Sequence, residues 1–82
     1  MNQADPEMRR LRWRCRRGMK ELDLLLLHYV DTCYSGDSSE EQQAFRRLLS
    51  MPDPEILALL TGRASTDDAL LTRVIERLPA GN

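Results

Sequence analysis

From Met19 to Tyr34 the apolar positions Leu22, Leu25, Leu26, Tyr29, Val30 and Cys33 recur at i, i+3, i+4, i+7, i+8 and i+11, the stripe of an amphipathic helix. Leu24 and Leu27 widen that arc, so this second helix is expected at the centre with neighbours on two sides. Upstream, Met8, Leu11 and Cys15 share helical spacing behind Asp5-Pro6, a capping residue followed by a proline suited to the first turn. The spacing predicts a first helix ending near Arg17, with Gly18 at the corner.

Downstream, Ser35-Gly36-Asp37 punctuates the chain, and Ser39 with Gln42 reads as the capping box of a third helix that turns Ala44, Phe45, Leu48 and Leu49 inward. That helix stops before Pro52. Asp53-Pro54 starts a short fourth helix carrying Ile56, Leu57, Leu59 and Leu60, closed by Gly62. In Ser65-Thr66-Asp67-Asp68 a hydroxyl is expected at the cap and the carboxylates in the first turn of a fifth helix. Its inward stripe is Leu70, Leu71, Val74, Ile75 and Leu78, and Pro79 and Gly81 end it. No alternating β-branched run occurs, and the expected fold is an all-α, compact five-helix bundle: one domain over residues 1–82 with an ordered core of about 6–78.

Size limits what such a bundle does. A chain this short buries only about 60% of the surface its unfolded form exposes, and about 3–5 kcal/mol of net stability is usual. A surface function is therefore favoured over a deep catalytic pocket. The net charge of -1 hides a division: residues 1–20 hold seven basic and two acidic side chains, residues 21–82 five and eleven. A directed contact with an acidic or phosphate-bearing partner fits this better than coating of nucleic acid.

Candidate chemistry is sparse. His28 is the only histidine, and with Cys15 and Cys33 it forms neither a metal-ligand spacing nor a redox pair, so the cysteines read as core residues and the histidine as a structural or rim residue. No Ser or Cys triad is visible, and the paired acids Glu40-Glu41 and Asp67-Asp68 are explained by helix first turns. The four glycines are scattered, with no phosphate-cradling loop. Neither a secretory h-region nor a membrane-spanning run is present, and a reducing cytoplasm is inferred.

The informative stretch runs from Arg9 to Glu21. Arg9, Arg12 and Arg14 suit a solvated face as well as a contact. Trp13 reads more readily as core than as contact, since aromatics dominate small cores. Arg16 and Arg17 precede Gly18 at a corner, with Glu21 one turn on; this suits docking on a polar surface, and an internal Arg17–Glu21 pair bracing the corner fits equally.

The segment Trp13-Arg14-Cys15-Arg16-Arg17-Gly18-Met19-Lys20-Glu21-Leu22-Asp23 resembles the signature of the SdhE family and contains its RGxxE motif. Phe45-Arg46-Arg47-Leu48-Leu49 and Asp53-Pro54-Glu55-Ile56 are similar to the family's downstream helices, so the likeness covers most of residues 8–78. One departure is Leu59, where many relatives carry an aromatic residue. The resemblance implies a small helical, non-enzymatic assembly factor that binds the flavoprotein subunit of succinate dehydrogenase and promotes covalent attachment of FAD, with fumarate reductase as a further candidate client. It implies that Arg17, Gly18 and Glu21 face the client, with Arg10, Trp13, Arg16 and Asp23 as neighbours. The client's own histidine would bond the flavin, and FAD would be the client's cofactor, leaving this chain with no cofactor, metal or catalytic residue. A monomer is expected when free, with no membrane insertion. The other readings are nucleic-acid binding by the arginine-rich first helix, disfavoured by the acidic remainder, and a generic helical adaptor.

Overall fold

In the computed structural model, which describes residues 6–78, five helices account for the regular structure and no strand occurs among those residues. They are α1 (Pro6–Arg14), α2 (Lys20–Thr32), α3 (Ser39–Leu49), α4 (Asp53–Leu60) and α5 (Ala69–Arg77), with a 3-10 turn at Tyr34–Gly36. The helical bundle read from the periodicity is the architecture found. Asp5, Pro79 and Gly81, expected to bound the first and last helices, lie outside the described residues.

Every helix contributes to one core. Leu11 from α1, Leu22, Leu26, Tyr29 and Val30 from α2, Phe45 and Leu48 from α3, Ile56 from α4, and Leu71 and Val74 from α5 form a single buried cluster. The Tyr29 and Phe45 rings stack with centroids 4.7 Å apart, and Tyr34 tilts against Phe45 at 5.8 Å. Both are favourable offset or tilted arrangements. The most extensive helix pair is α3 with α5.

An ionic clasp reinforces that pairing. Arg77 donates to both Asp37 and Glu41, Arg73 reaches Glu41 at 3.4 Å, and the buried Tyr29 hydroxyl donates to Asp37. Burial, aided by the bond to Asp37, holds the Tyr29 hydroxyl well above its ordinary pKa. The Ser38 N–H, followed by Arg73 and Arg77, lowers the pKa of Glu41.

Several boundaries differ from the sequence reading. The capping box of α3 is Ser38 with Glu41, one residue earlier than expected, and it leaves Glu41 placed to meet α5. The N-cap of α4 is Pro52, so Asp53 lies inside the first turn with its carboxylate free for another use. For α5 the cap is the carboxylate of Asp68, which accepts from the Leu70 and Leu71 N–H groups, while Thr66 Oγ1 accepts the Asp68 N–H. The Gly62 expectation holds: at φ +81° it closes α4 with Arg63 N–H donating to Ala58 O at 2.9 Å, the αL cap that glycine favours. Leu24 is 58% exposed while Leu27 packs against the core, so only part of the wide apolar arc of α2 is covered.

Candidate functional site

The first helix ends earlier than expected, at Arg14, and tightens through 3-10 bonds from Cys15 N to Arg12 O and from Arg16 N to Trp13 O. Cys15 is fully buried and anchors this end. Gly18 then takes φ +87°, a conformation costly for any residue with a Cβ, and the chain reverses into α2 at Lys20. The N-cap position, Met19, gives no side-chain bond; the Asp23 carboxylate reaches back to accept the Arg17 N–H at 2.7 Å.

Arg17 itself is turned inward. Its Nε donates to Asp53 Oδ1 at 2.8 Å, Nη1 to Leu49 O at 2.8 Å and Arg14 O at 3.2 Å, and Nη2 to Met51 O at 2.8 Å. Only 16% of its side chain is exposed. The guanidinium therefore staples the α1–α2 corner to the α3–α4 connection, and the expectation of an outward-facing arginine fork is corrected: its donors are spent on the fold. Nor does it pair with Glu21, which is exposed on the first turn of α2.

What the corner presents is a different set of groups. Trp13 is 71% exposed, against its reading as core, with the Arg16 guanidinium 5.8 Å from its ring centroid in a cation–π contact. Arg16, Gly18, Lys20, Asp23, Leu24 and Leu27 line one hollow. Arg9, Arg12, Trp13, Arg16 and Leu27 line the next. Sharing Arg16 and Leu27, the two hollows make one continuous face with exposed apolar area from Trp13 and Leu24.

Of the sequence-derived site residues, the fold gathers Trp13, Arg16, Gly18 and Asp23 on that face. Glu21 lies exposed on α2 outside both hollows, Arg17 lies behind the corner, and Arg10 lines a separate cleft toward Tyr34 and Arg46. The sequence reading missed Lys20, Leu24 and Leu27. Leu24 and Leu27 fall off the main stripe of α2, which was the available signal; Leu27 packs against the core as that arc implied, and Leu24 does not.

The remaining groups offer little covalent chemistry. Burial pushes the Cys15 thiol up to about 11, over the opposing pull of Arg12, Arg17 and Arg14, the reverse of an activated nucleophile. His28 is exposed, and its carbonyl accepts from Thr32 Oγ1. Among the described residues no three His, Cys, Asp or Glu side chains cluster as a metal site, and no helix is long and apolar enough to cross a membrane.

Residues 9–82 match a protein family described as flavinator of succinate dehydrogenase. The chain is 42% identical over 73 residues to a protein of Idiomarina loihiensis named FAD assembly factor SdhE, covering 89% of this chain and 81% of that one. It is 44% identical over 71 residues to a Methylococcus capsulatus protein of the same name, covering 87% and 86%. A Pseudomonas aeruginosa protein of that name is 38% identical over 74 residues, covering 90% and 88%. No solved structure matches.

Proposed function

The chain belongs to the family of flavinators of succinate dehydrogenase, and from that premise we propose that it is an FAD assembly factor that binds the dehydrogenase's flavoprotein subunit. It is not an enzyme: the family role and the relatives' names are those of assembly factors. The bond between histidine and the flavin methyl group forms on the client, and FAD is the client's cofactor. This protein holds the client in the conformation that aligns the two, a proximity effect obtained by differential binding. Fumarate reductase is a second client by the same logic. The working compartment is the cytoplasm and the free protein is a monomer.

The observation that supports this reading most is the continuous face at the α1–α2 corner, where Trp13, Leu24 and Arg16 surround the bare backbone of Gly18. Exposed tryptophan and arginine are the residue types that dominate protein interfaces, and a glycine without Cβ allows a partner's backbone to approach. Glu21, exposed one turn into α2, supplies a carboxylate at the edge. Arg17 acts as a positioning residue that fixes the corner through Asp53 and three carbonyls.

The test is co-expression of the flavoprotein subunit with and without this protein, followed by flavin fluorescence on a denaturing gel. Fluorescence is expected with the protein present and should fall with Trp13→Ser and Glu21→Ala. Equal fluorescence in both lanes would overturn the assembly role; unchanged fluorescence with both variants would overturn the assignment of the face.

A further inference from the structure

On the other side of α1 from Trp13 lies a second concave surface. Glu7, Met8, Arg10, Leu11, Arg14, Tyr34 and Arg46 line a cleft between α1 and α3. A shallower hollow adjoins it, sharing Arg14 and Arg46 and extending to Gln43, Arg47 and Ser50. Together they form one groove along the α1–α3 seam.

Of the four arginines in its lining, Arg47 is paired with Asp68 and the other three are held differently. Arg12, Arg17, Arg47, Arg73 and Arg77 each pair with a carboxylate. Arg10, Arg14 and Arg46 form no such ion pair among the described residues. Arg14 donates to Ser50 Oγ at 3.0 Å and to Arg46 O at 3.4 Å, and Arg46 donates to the Tyr34 hydroxyl. These acceptors are neutral, so they orient two guanidinium groups along the groove, and Glu7 is the one carboxylate in a lining that holds four arginines. Arg10 is exposed at its end.

We propose that this groove binds an extended acidic segment of a partner polypeptide, independently of the motif face. Positive charges strung along a seam, rather than converging on a point, match carboxylates spaced along a chain, where guanidinium forks bind bidentately. The apolar contribution of Met8 and Leu11 to the lining suits a leucine-type side chain between those carboxylates and has no use in holding a bare polyanion. A chain seated here leaves Trp13 and Gly18 accessible, because those residues line the hollows on the opposite side of α1.

The probe is a short fluorescein-labelled peptide of alternating glutamate and leucine, titrated with the full chain by fluorescence anisotropy. Its glutamine counterpart, a single-stranded oligonucleotide and inorganic pyrophosphate as competitor serve as comparisons. The acidic peptide is expected to bind more tightly than the other three, more weakly as salt rises, and roughly tenfold more weakly to Arg10→Gln or Arg46→Gln. Arg63→Gln, beyond the end of α4, should change nothing. Circular dichroism of each variant, and a charge-keeping Arg10→Lys that retains part of the affinity, separate lost contact from lost fold. Equal binding of the glutamine peptide, tighter binding of the oligonucleotide or pyrophosphate, or an equal loss in Arg63→Gln would overturn the proposal.

Discussion

Replacing Arg17 by alanine removes the side-chain half of four hydrogen bonds, one to Asp53 and three to the carbonyls of Arg14, Leu49 and Met51. Breaking a fully buried ion pair costs about 3–5 kcal/mol, whereas an exposed pair contributes about 0–1 kcal/mol. Arg17 and Asp53 retain 16% and 29% side-chain exposure, so water re-solvates part of what is orphaned. An intermediate loss of about 2–3 kcal/mol follows. Set against the roughly 3–5 kcal/mol usual for such a chain, most of the stability goes. One or two kcal/mol left still keeps the folded form about 5–30 times more populated than the unfolded at room temperature. The melting temperature should fall by about 10–20 °C. Thermal and urea melts followed by circular dichroism measure this, paired with the flavin gel assay on cells grown warm and cold. Arg17→Ala should lose flavin attachment in the warm and recover it in the cold; Glu21→Ala should melt like the parent and fail at both temperatures. An Arg17→Ala protein that melts within about 2 °C of the parent, a shift well under the roughly 4–8 °C expected per kcal/mol, would refute the staple.

Gly18→Ala and Gly18→Arg should each cost about 1–2 kcal/mol by urea melt, because φ is +87° while nothing lies within 4 Å of an added Cβ. Only the arginine variant, whose side chain stands in the face, should abolish flavin attachment. Trp13→Ser should leave stability within about 0.5 kcal/mol, since the ring is 71% exposed, while reducing flavin attachment. The folded Cys15 thiol ionises near 11 and the unfolded one near 9.0, so stability is complete below about 9 and falls as pH rises toward 11, by roughly 2–3 kcal/mol. Cys15→Ala should remove that slope, leaving the loss that Tyr29 adds as pH rises above 10.0; a parent protein flat between 9 and 11 by urea melts would contradict the burial. On the acid side Glu41, whose pKa is lowered in the fold from 4.5, contributes stability that is lost as pH falls through that value and below. Glu41→Gln should flatten this acid limb in the same melts.

The inward faces were legible in the sequence because helical periodicity is a local property: Leu22, Leu26, Tyr29 and Val30, and Ala44, Phe45, Leu48 and Leu49, are buried as their spacing required. Caps were less legible because local patterns compete. Ser39 with Gln42 and Ser38 with Glu41 both satisfy the box, and the second also delivers Glu41 to Arg73 and Arg77 from α5, more than thirty residues away. Asp53 looked like a cap for the same reason, although its carboxylate is taken by Arg17. Trp13 was misread on size. On a helix that advances about 100° per residue it points away from Leu11 and Cys15, which are buried at i and i+4, so the signal for exposure was present.

The five-residue motif divides across the protein surface, and that division was not legible in its spacing. Gly18 and Glu21 lie outside, while Arg17 bonds to residues 32, 34 and 36 positions away in the chain. No local rule distinguishes an arginine that meets a partner from one that meets a distant connection of its own fold. The division couples the two roles: the path of the chain through Gly18 is held by the Arg17 guanidinium on one side and by Asp23 on its backbone N–H on the other. Loosening either restraint lets the corner move relative to Trp13 and Leu24, whose positions are set by α1 and α2. Arginine and glutamate in one short motif are therefore expected to fail differently, the first through the geometry of the face and the second through the proposed contact at its edge. An assay that reads flavin attachment alone registers both as the same loss, and the melting temperature is the observable that separates them.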